Sequence, residues 1–140
     1  MTMIDRILRR EDIAGGALHR WTLLRGPRGR ALYLQHFRCS DARSMHDHPK
    51  RFVTIGLLGG YVEESLEPVL FSDVRCRRRF VAPWIRTFPA RHMHRVRVSR
   101  RGCWTLAYVG PKTREWGFLH RNRWIPWQRF HEVYDERRCP

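Results

Sequence analysis

The stretch His46-Asp47-His48-Pro49, answered further along by Pro89-Ala90-Arg91-His92-Met93-His94-Arg95, decides how this sequence reads. Two histidines one residue apart share a face of an extended strand, because strand side chains alternate with period two. Both imidazoles can therefore reach one ion from a rigid platform. A third, His94, returning on a distant strand would complete a facial set and leave positions open for substrate. Imidazole-rich sites of this kind suit iron, zinc, nickel or copper better than magnesium or calcium. A lone His-x-His recurs by chance in a chain with 8 histidines. The plainer alternative is a group of polar pocket or surface histidines with no ion.

The surroundings are strand-like. Segments 17–24, 31–38, 51–58, 61–66, 79–82, 84–88, 94–98 and 103–109 are rich in β-branched and aromatic residues. Turn signals separate them at Gly26-Pro27, Gly29, Gly59-Gly60, Pro68, Pro83, Pro89, Arg101-Gly102 and Gly110-Pro111. Many short strands with regular turn chemistry predict an all-β sandwich or barrel. Residues 3–13 read as a short helix or irregular arm ended by Gly15-Gly16. The aromatic tail from Trp116 to Tyr134 reads as a strand or short helix laid on the barrel wall. No repeat or linker interrupts the 140 residues, so one domain is expected, with an arm at 1–16 and a C-terminal cover at 111–140.

A two-residue turn at Gly59-Gly60 would place Leu58 opposite Tyr61 and Gly56 opposite Glu63. Glu63 would then share a face with Gly56, Thr54 and Phe52. It is too far along a straight strand from His48 to be a ligand, so it is expected as a pocket carboxylate near the metal rather than on it.

The formal charge is +15, and lysine contributes only Lys50 and Lys112 to the 28 basic residues. Such a basic excess invites a nucleic-acid reading. The arginines are dispersed, however, with short clusters only at Arg9-Arg10, Arg77-Arg78-Arg79 and Arg100-Arg101, so non-specific affinity is the expectation. No apolar run is long enough to span a membrane, and Met1 to Arg10 lacks a signal-peptide core, which makes a cytoplasmic location the default. Cys39, Cys76, Cys103 and Cys139 form no CxxC pair and are expected to be reduced thiols, with Cys139 exposed and idle.

These residues resemble the cupin superfamily, small jelly-roll barrels that carry a metal inside. The first cupin motif has His-x-His, then a Glu four residues after the second His, then a Gly. His46, His48 and Gly59 fit it, while Phe52 stands in the Glu position. The second motif, Pro-x-Gly-x-x-His, is matched by Pro89 and His94, with Arg91 replacing Gly. The likeness is closest to small bacterial and phage cupin-like proteins of unassigned role. It runs through His46–Pro49, Leu57–Glu63, Ala90–Arg95, Trp104–Leu106 and Gly110–Phe118. The resemblance implies a single-domain, all-β, cupin-type jelly roll (a double-stranded β-helix). It also implies one divalent transition metal on His46, His48 and His94. A three-His set is similar to that of thiol-dioxygenase cupins, which use iron(II) and O₂. Iron(II) is therefore favoured, with zinc, nickel or manganese as other occupants.

Further residues take roles around that centre. Asp47 points to the opposite face, as a turn or supporting partner. His92 is a reserve ligand or proton carrier. Glu63 and Tyr61 are the candidate catalytic groups for moving protons. Arg95 and Arg51 flank the two motifs and are candidates to hold a substrate carboxylate or phosphate, with Tyr108 as a pocket phenol beside them. Surface arginines and wall tyrosines are the ordinary alternatives. His36 reads as barrel lining or core, and His19, His120 and His131 as surface residues. The Lys112–Phe118 loop mixes cations with aromatics, which suits an aromatic anion. Trp104, Trp116, Phe118, Trp124 and Trp127 are expected to pack the barrel and its cover.

The sequence therefore favours a metal-dependent, dioxygenase-like oxidoreductase for a small anionic substrate, with isomerase or epimerase chemistry also compatible. A non-catalytic metal or ligand sensor is the second reading, and a basic nucleic-acid-associated protein the third. A homodimer is compatible with all three. The dispersed arginines should bind DNA and RNA weakly and without sequence preference. That affinity should fall steeply with salt, because it comes from displaced counterions. Oligonucleotide affinities across a salt series test this, and tight, sequence-selective binding at physiological salt would contradict it.

Overall fold

The computed structural model describes residues 9–40 and 44–134. Two long strands organise it, β5 (Lys50–Val69) and β8 (Met93–Lys112), each of 20 residues. They run antiparallel from Lys50↔Lys112 to Leu66↔Met93. Six shorter strands precede or separate them in pairing: β1 (Arg10–Ile13), β2 (Leu18–Arg25), β3 (Ala31–Phe37), β4 (Met45–His46), β6 (Ser72–Val81) and β7 (Trp84–Phe88). After β8 come β9 (Gly117–His120), β10 (Arg123–Pro126) and helix α1 (Trp127–Val133).

The long pair folds over midway, and the fold-over makes the barrel. Its register jumps from Gly59↔Cys103 to Tyr61↔Val98. Gly59 and Gly102 sit at the jump with φ of 77° and 73°. A Cβ on Gly59 would lie 2.4 Å from the Gly102 carbonyl oxygen, and one on Gly102 would lie 2.5 Å from that of Phe37. Only glycine accepts both the positive φ and the approach. On one side of the bend the sheet runs β1-β2-β3-β8-β5-β7; on the other it runs β6-β5-β8-β4-β9-β10. This is an all-β jelly roll.

The bend corrects the expected Gly59-Gly60 hairpin: the strand passes straight through these glycines. Glu63 still faces inward with Thr54 and Gly56, because the irregular register shifts the alternation by one residue. Thr54 and Gly56 are buried before the bend, and Tyr61, Glu63 and Ser65 after it. The expected strands 51–58 and 61–66 are thus one strand, as are 94–98 and 103–109. β6 begins well before the expected residue 79, because Ser72–Arg79 lacks the apolar alternation that announces a strand. Residues 10–13, expected in a helix or arm, form β1 against β2, and residues 3–8 of that expectation lie outside the described residues.

Inside, cross-strand rows build the wall. One reads Thr22–Tyr33–Ala107–Thr54–Arg86; another reads Ser65–His94–His46–Phe118. Tyr61, Val96 and Cys103 form a core cluster with Phe37, Phe80, Trp84 and Val98 packed on it. The described C-terminal segments pack on the barrel wall through aromatic contacts. Phe130 of α1 is fully buried and stacks on Phe118 at 4.1 Å, and Trp127 stacks on Trp116. Cys39 is disulfide-bonded, which corrects the reduced-thiol expectation for it; Cys76 and Cys103 are free, and Cys139 lies outside the described residues. His36 does not line the barrel. It stacks on Trp104 at 4.2 Å, in the row opposite to inward-facing Gln35 and Phe37. Half-buried His19 and His120 have partners, Asp12 and Arg38 for the first and Ser44 and Tyr134 for the second. Among the described residues no helix is long and apolar enough to cross a membrane.

Gly56 packs under the Trp84 ring, where a Cβ would meet Cε3 at 2.1 Å. Gly56→Ala should therefore destabilise the fold by about 1–3 kcal/mol, the usual cost of overpacking. Pairing it with Trp84→Leu should recover part of the loss. Denaturant midpoints of the two variants check this, and an unchanged midpoint for Gly56→Ala would contradict the packing.

Candidate metal centre

β4 is only two residues long, yet it sits between β8 and β9 and places His46 directly across from His94. The chain then turns inward, and three backbone bonds fix the turn. Asp47 N–H donates to the Gly117 carbonyl (3.1 Å), His48 N–H to the Ala90 carbonyl (2.9 Å), and Thr113 N–H to the Pro49 carbonyl (2.9 Å). The two histidine motifs are thus joined directly through His48 and Ala90. Their rings form a nearly equilateral triangle, with centroids 5.1 Å (His46–His48), 5.1 Å (His46–His94) and 4.9 Å (His48–His94) apart.

One ligand nitrogen from each ring lies within 4.8 Å of the others, and the Nε2 atoms of His48 and His94 are 3.3 Å apart. Metal–nitrogen bonds of about 2.0–2.1 Å at tetrahedral to octahedral angles separate neighbouring donors by about 2.8–3.4 Å. The pair therefore has the spacing of adjacent ligands on one ion. The pKa of His48 is well below the usual imidazole value, first because it is buried and then because His94, His46 and His92 crowd it. A neutral ring keeps a lone pair for a metal.

Glu63 sets the tautomer of His94. Its carboxylate is 1% exposed; Oε1 accepts from His94 Nδ1 (2.6 Å) and His92 Nε2 (2.9 Å), and Oε2 pairs with Arg86 Nη2 at 2.8 Å. Burial alone would raise its pKa, but the bonds from His92, His94 and Arg86 outweigh that and hold it well below the carboxylate range. An ionised carboxylate only accepts, so His94 carries a proton on Nδ1, which leaves Nε2, facing His48, as the nitrogen that could bind a metal. This carboxylate–histidine arrangement orients a ligand and raises its basicity.

Glu63, His92 and His94 also converge closely enough to bind an ion. Charge decides between the two groups. A cation there would face the Arg86 guanidinium, already 2.8 Å from the same carboxylate. The three-His group is the metal candidate, and Glu63 supports it.

Phe52 stacks edge-on to His48 at 4.8 Å and face-to-face with Phe88 at 4.7 Å. An aromatic ring therefore packs directly on the His48 side of the three-His group. Asp47, pointing the other way, ties the motif to the cover. It is 3% exposed and accepts from Gly117 N–H (2.8 Å), Trp124 Nε1 (3.0 Å) and Arg114 Nη1 (2.5 Å).

Of the other residues singled out in the sequence, His92 and Tyr61 belong to this network and three do not. The Tyr61 phenol accepts from Arg86 Nη1 at 3.2 Å, and burial pushes its pKa up to about 12. It is therefore a protonated group at neutral pH, joined to Glu63 only through Arg86. Arg95 turns away from His94, pairing with Glu64 through Nε at 2.6 Å. Arg51 is exposed and faces outward, opposite to Phe52. Tyr108 is 49% exposed on the outer side of β8, between inward-facing Ala107 and Val109. All three corrections have one cause: each neighbours an inward residue, so alternation turns it out.

The sequence reading missed Arg86. It bridges Tyr61 and Glu63 and lies over the rings of Phe80 (3.9 Å) and Phe88 (4.4 Å). The signal was available, since Arg86 shares strand parity with Trp84 and Phe88, and an arginine facing into a barrel requires a carboxylate there.

No family model and no curated protein matches the sequence. Solved structures do match in fold. KdgF from Halomonas sp. aligns with a TM-score of 0.54 at 15% identity, over 75% of this chain and 89% of that one. A cupin-2 domain protein from Rhodospirillum rubrum gives 0.57 at 13% identity, over 75% and 67%. An oxalate decarboxylase from Bacillus subtilis gives 0.56 at 13%, with 75% of this chain spanning 28% of that one. The chain thus has the cupin jelly-roll fold.

Because Glu63 titrates lower folded than unfolded, its stabilising contribution is complete above about pH 4.3, the unfolded value, and is lost as pH falls towards the folded one. Glu63→Gln should cost ~3 kcal/mol at pH 7, since it leaves Arg86 without its charge partner. The difference from the parent should shrink steadily below about pH 4. Denaturation at pH 7, 5 and 3 checks this; a constant difference would mean Glu63 is not ionised in the fold.

Proposed function

We propose that the protein is a metal-dependent cupin enzyme, a mononuclear non-haem iron(II) oxygenase acting on a small anionic substrate. The observation that carries this reading is the 3.3 Å approach of two imidazole Nε2 atoms, one held by a buried carboxylate on its far side, with no acidic ligand in the set. His46, His48 and His94 would hold the ion. When bound, iron(II) supplies Lewis acidity and redox capacity in its open positions.

The chain's own residues supply the rest. Glu63 fixes His94 and, with His92, offers a short path on which a proton can be held beside the centre. Tyr61 stays protonated and orients Arg86, which keeps Glu63 ionised. Phe52 and Phe88 keep water from the His48 side. Three neutral imidazoles leave a divalent ion's +2 charge uncancelled, and the Glu63 and Arg86 charges offset each other, so the centre attracts anions. Oxalate decarboxylase, one of the fold neighbours, is named for such a small anion.

A second reading, a metal or small-ligand sensor without turnover, is favoured by one observation: Arg51, Arg95 and Tyr108 lie off the centre and are not available to fix a substrate there.

Oxygen consumption separates the two. Protein without a His-tag, loaded with iron(II), should take up O₂ only in the presence of one of a panel of small acids and thiols. His94→Ala should lower that uptake by about a hundredfold or more. Full iron binding without O₂ uptake across the panel would favour the sensor.

A further inference from the structure

A groove of about 680 Å³ lies outside the barrel wall, lined by Arg51, Thr87, Pro89, Ala90, Arg91, Thr113 and Arg114. Three loops meet there: the one after the first histidine motif, the one before the second, and the one that leads to the cover. Their meeting is enforced by the His48–Ala90 and Thr113–Pro49 backbone bonds. The lining includes three guanidinium groups and two hydroxyls but no carboxylate. Among the described residues, Arg51 and Arg91 take part in no ion pair. Both are exposed, so they are arginines with no structural task in view.

We propose that this groove is a second binding site, for the phosphate of a small phosphate monoester. Arginine suits the phosphate because its planar fork donates two parallel bonds to two oxygens, and the Thr87 hydroxyl can donate to a remaining one; the Thr113 hydroxyl already donates to the Pro49 carbonyl at 3.5 Å. The groove is far larger than an inorganic phosphate needs. Its volume falls in the ~300–1,000 Å³ range of small-molecule sites, and Pro89, Ala90 and the arginine stems form an apolar floor for the organic part. The site stands whether or not the three histidines hold a metal.

Arg114 connects this groove to the interior. One of its nitrogens already donates to Asp47 Oδ2 (2.5 Å) and to the His48 carbonyl (3.4 Å), and Asp47 in turn holds the Trp124 indole and the Gly117 amide. An anion bound to the remaining Arg114 nitrogens shares that guanidinium's charge with Asp47. The Trp124 Nε1–H and Gly117 N–H groups, both bonded to Asp47, therefore report occupancy.

Phenyl phosphate is the probe, titrated into ¹⁵N-labelled full-length protein in 0.15 M KCl, with inorganic phosphate and a short single-stranded oligonucleotide in parallel. The expected result is saturable binding of phenyl phosphate, tighter than inorganic phosphate, with shifts in the Trp124 indole and Gly117 amide signals. Arg51→Gln/Arg91→Gln should weaken it by about tenfold or more, as loss of charged hydrogen bonds does. Arg77→Gln/Arg79→Gln on β6 removes the same charge elsewhere and should change it less than about twofold. Equal weakening by both pairs would overturn the proposal in favour of diffuse charge. So would binding of the oligonucleotide alone, or saturation without shifts at Trp124 and Gly117.

Discussion

The fold-over of the paired strands β5 and β8 is the constraint on which everything else depends. Two 20-residue strands that stayed flat would carry Glu63 and His48 to opposite ends of one sheet. Bent together at Gly59 and Gly102, they become the shared spine of two facing sheets, and Glu63 arrives beneath His94. The bend requires both strands to give way at one point, and the close approach of Gly59 to the Gly102 carbonyl leaves no room for a Cβ. The metal candidate, the buried carboxylate and Arg86 meet only because of this geometry.

Within that frame, charge is placed rather than merely present. A chain of formal charge +15 keeps a buried carboxylate ionised by surrounding it with two imidazoles and one guanidinium. A second buried carboxylate, Asp47, takes the opposite face of the same short segment and holds the cover in place. Alternation along His46-Asp47-His48 thus sends imidazoles to the centre and the carboxylate to the scaffold. Phe52 completes the pattern: where a further acidic ligand would reduce the charge of a bound ion, a ring packs on His48 instead.

Much of this was legible in the residues. His-x-His in extended chain has one geometric meaning, and the return at His94 supplied the third ring. The inward face of Glu63 was also readable, although through a hairpin that does not exist. Two glycines in a row announce a break in alternation equally well whether the chain reverses or bends, and sequence cannot tell these apart. The placements of Arg51, Arg95 and Tyr108 failed for a simpler reason. Nearness in sequence to a ligand was read as nearness in space, while strand parity turns each neighbour outward. Arg86 escaped because its polar partners, Tyr61 and Glu63, lie on β5 beyond the bend, remote from it in sequence. β6 escaped because its arginines show no apolar alternation, and its pairing is imposed by β5.

The central claim is that His46, His48 and His94 together hold one divalent transition metal. Metal content of protein purified without a His-tag, measured in the parent and in His46→Ala, His48→Ala, His94→Ala and His120→Ala, tests it most directly. The account predicts one ion per parent chain and near-complete loss in the first three variants, because two imidazoles do not compete with water and chelators. His120→Ala, whose ring sits with Ser44 and Tyr134 away from the centre, should retain the ion. Equal loss in all four variants, or full retention in any of the first three, would contradict it.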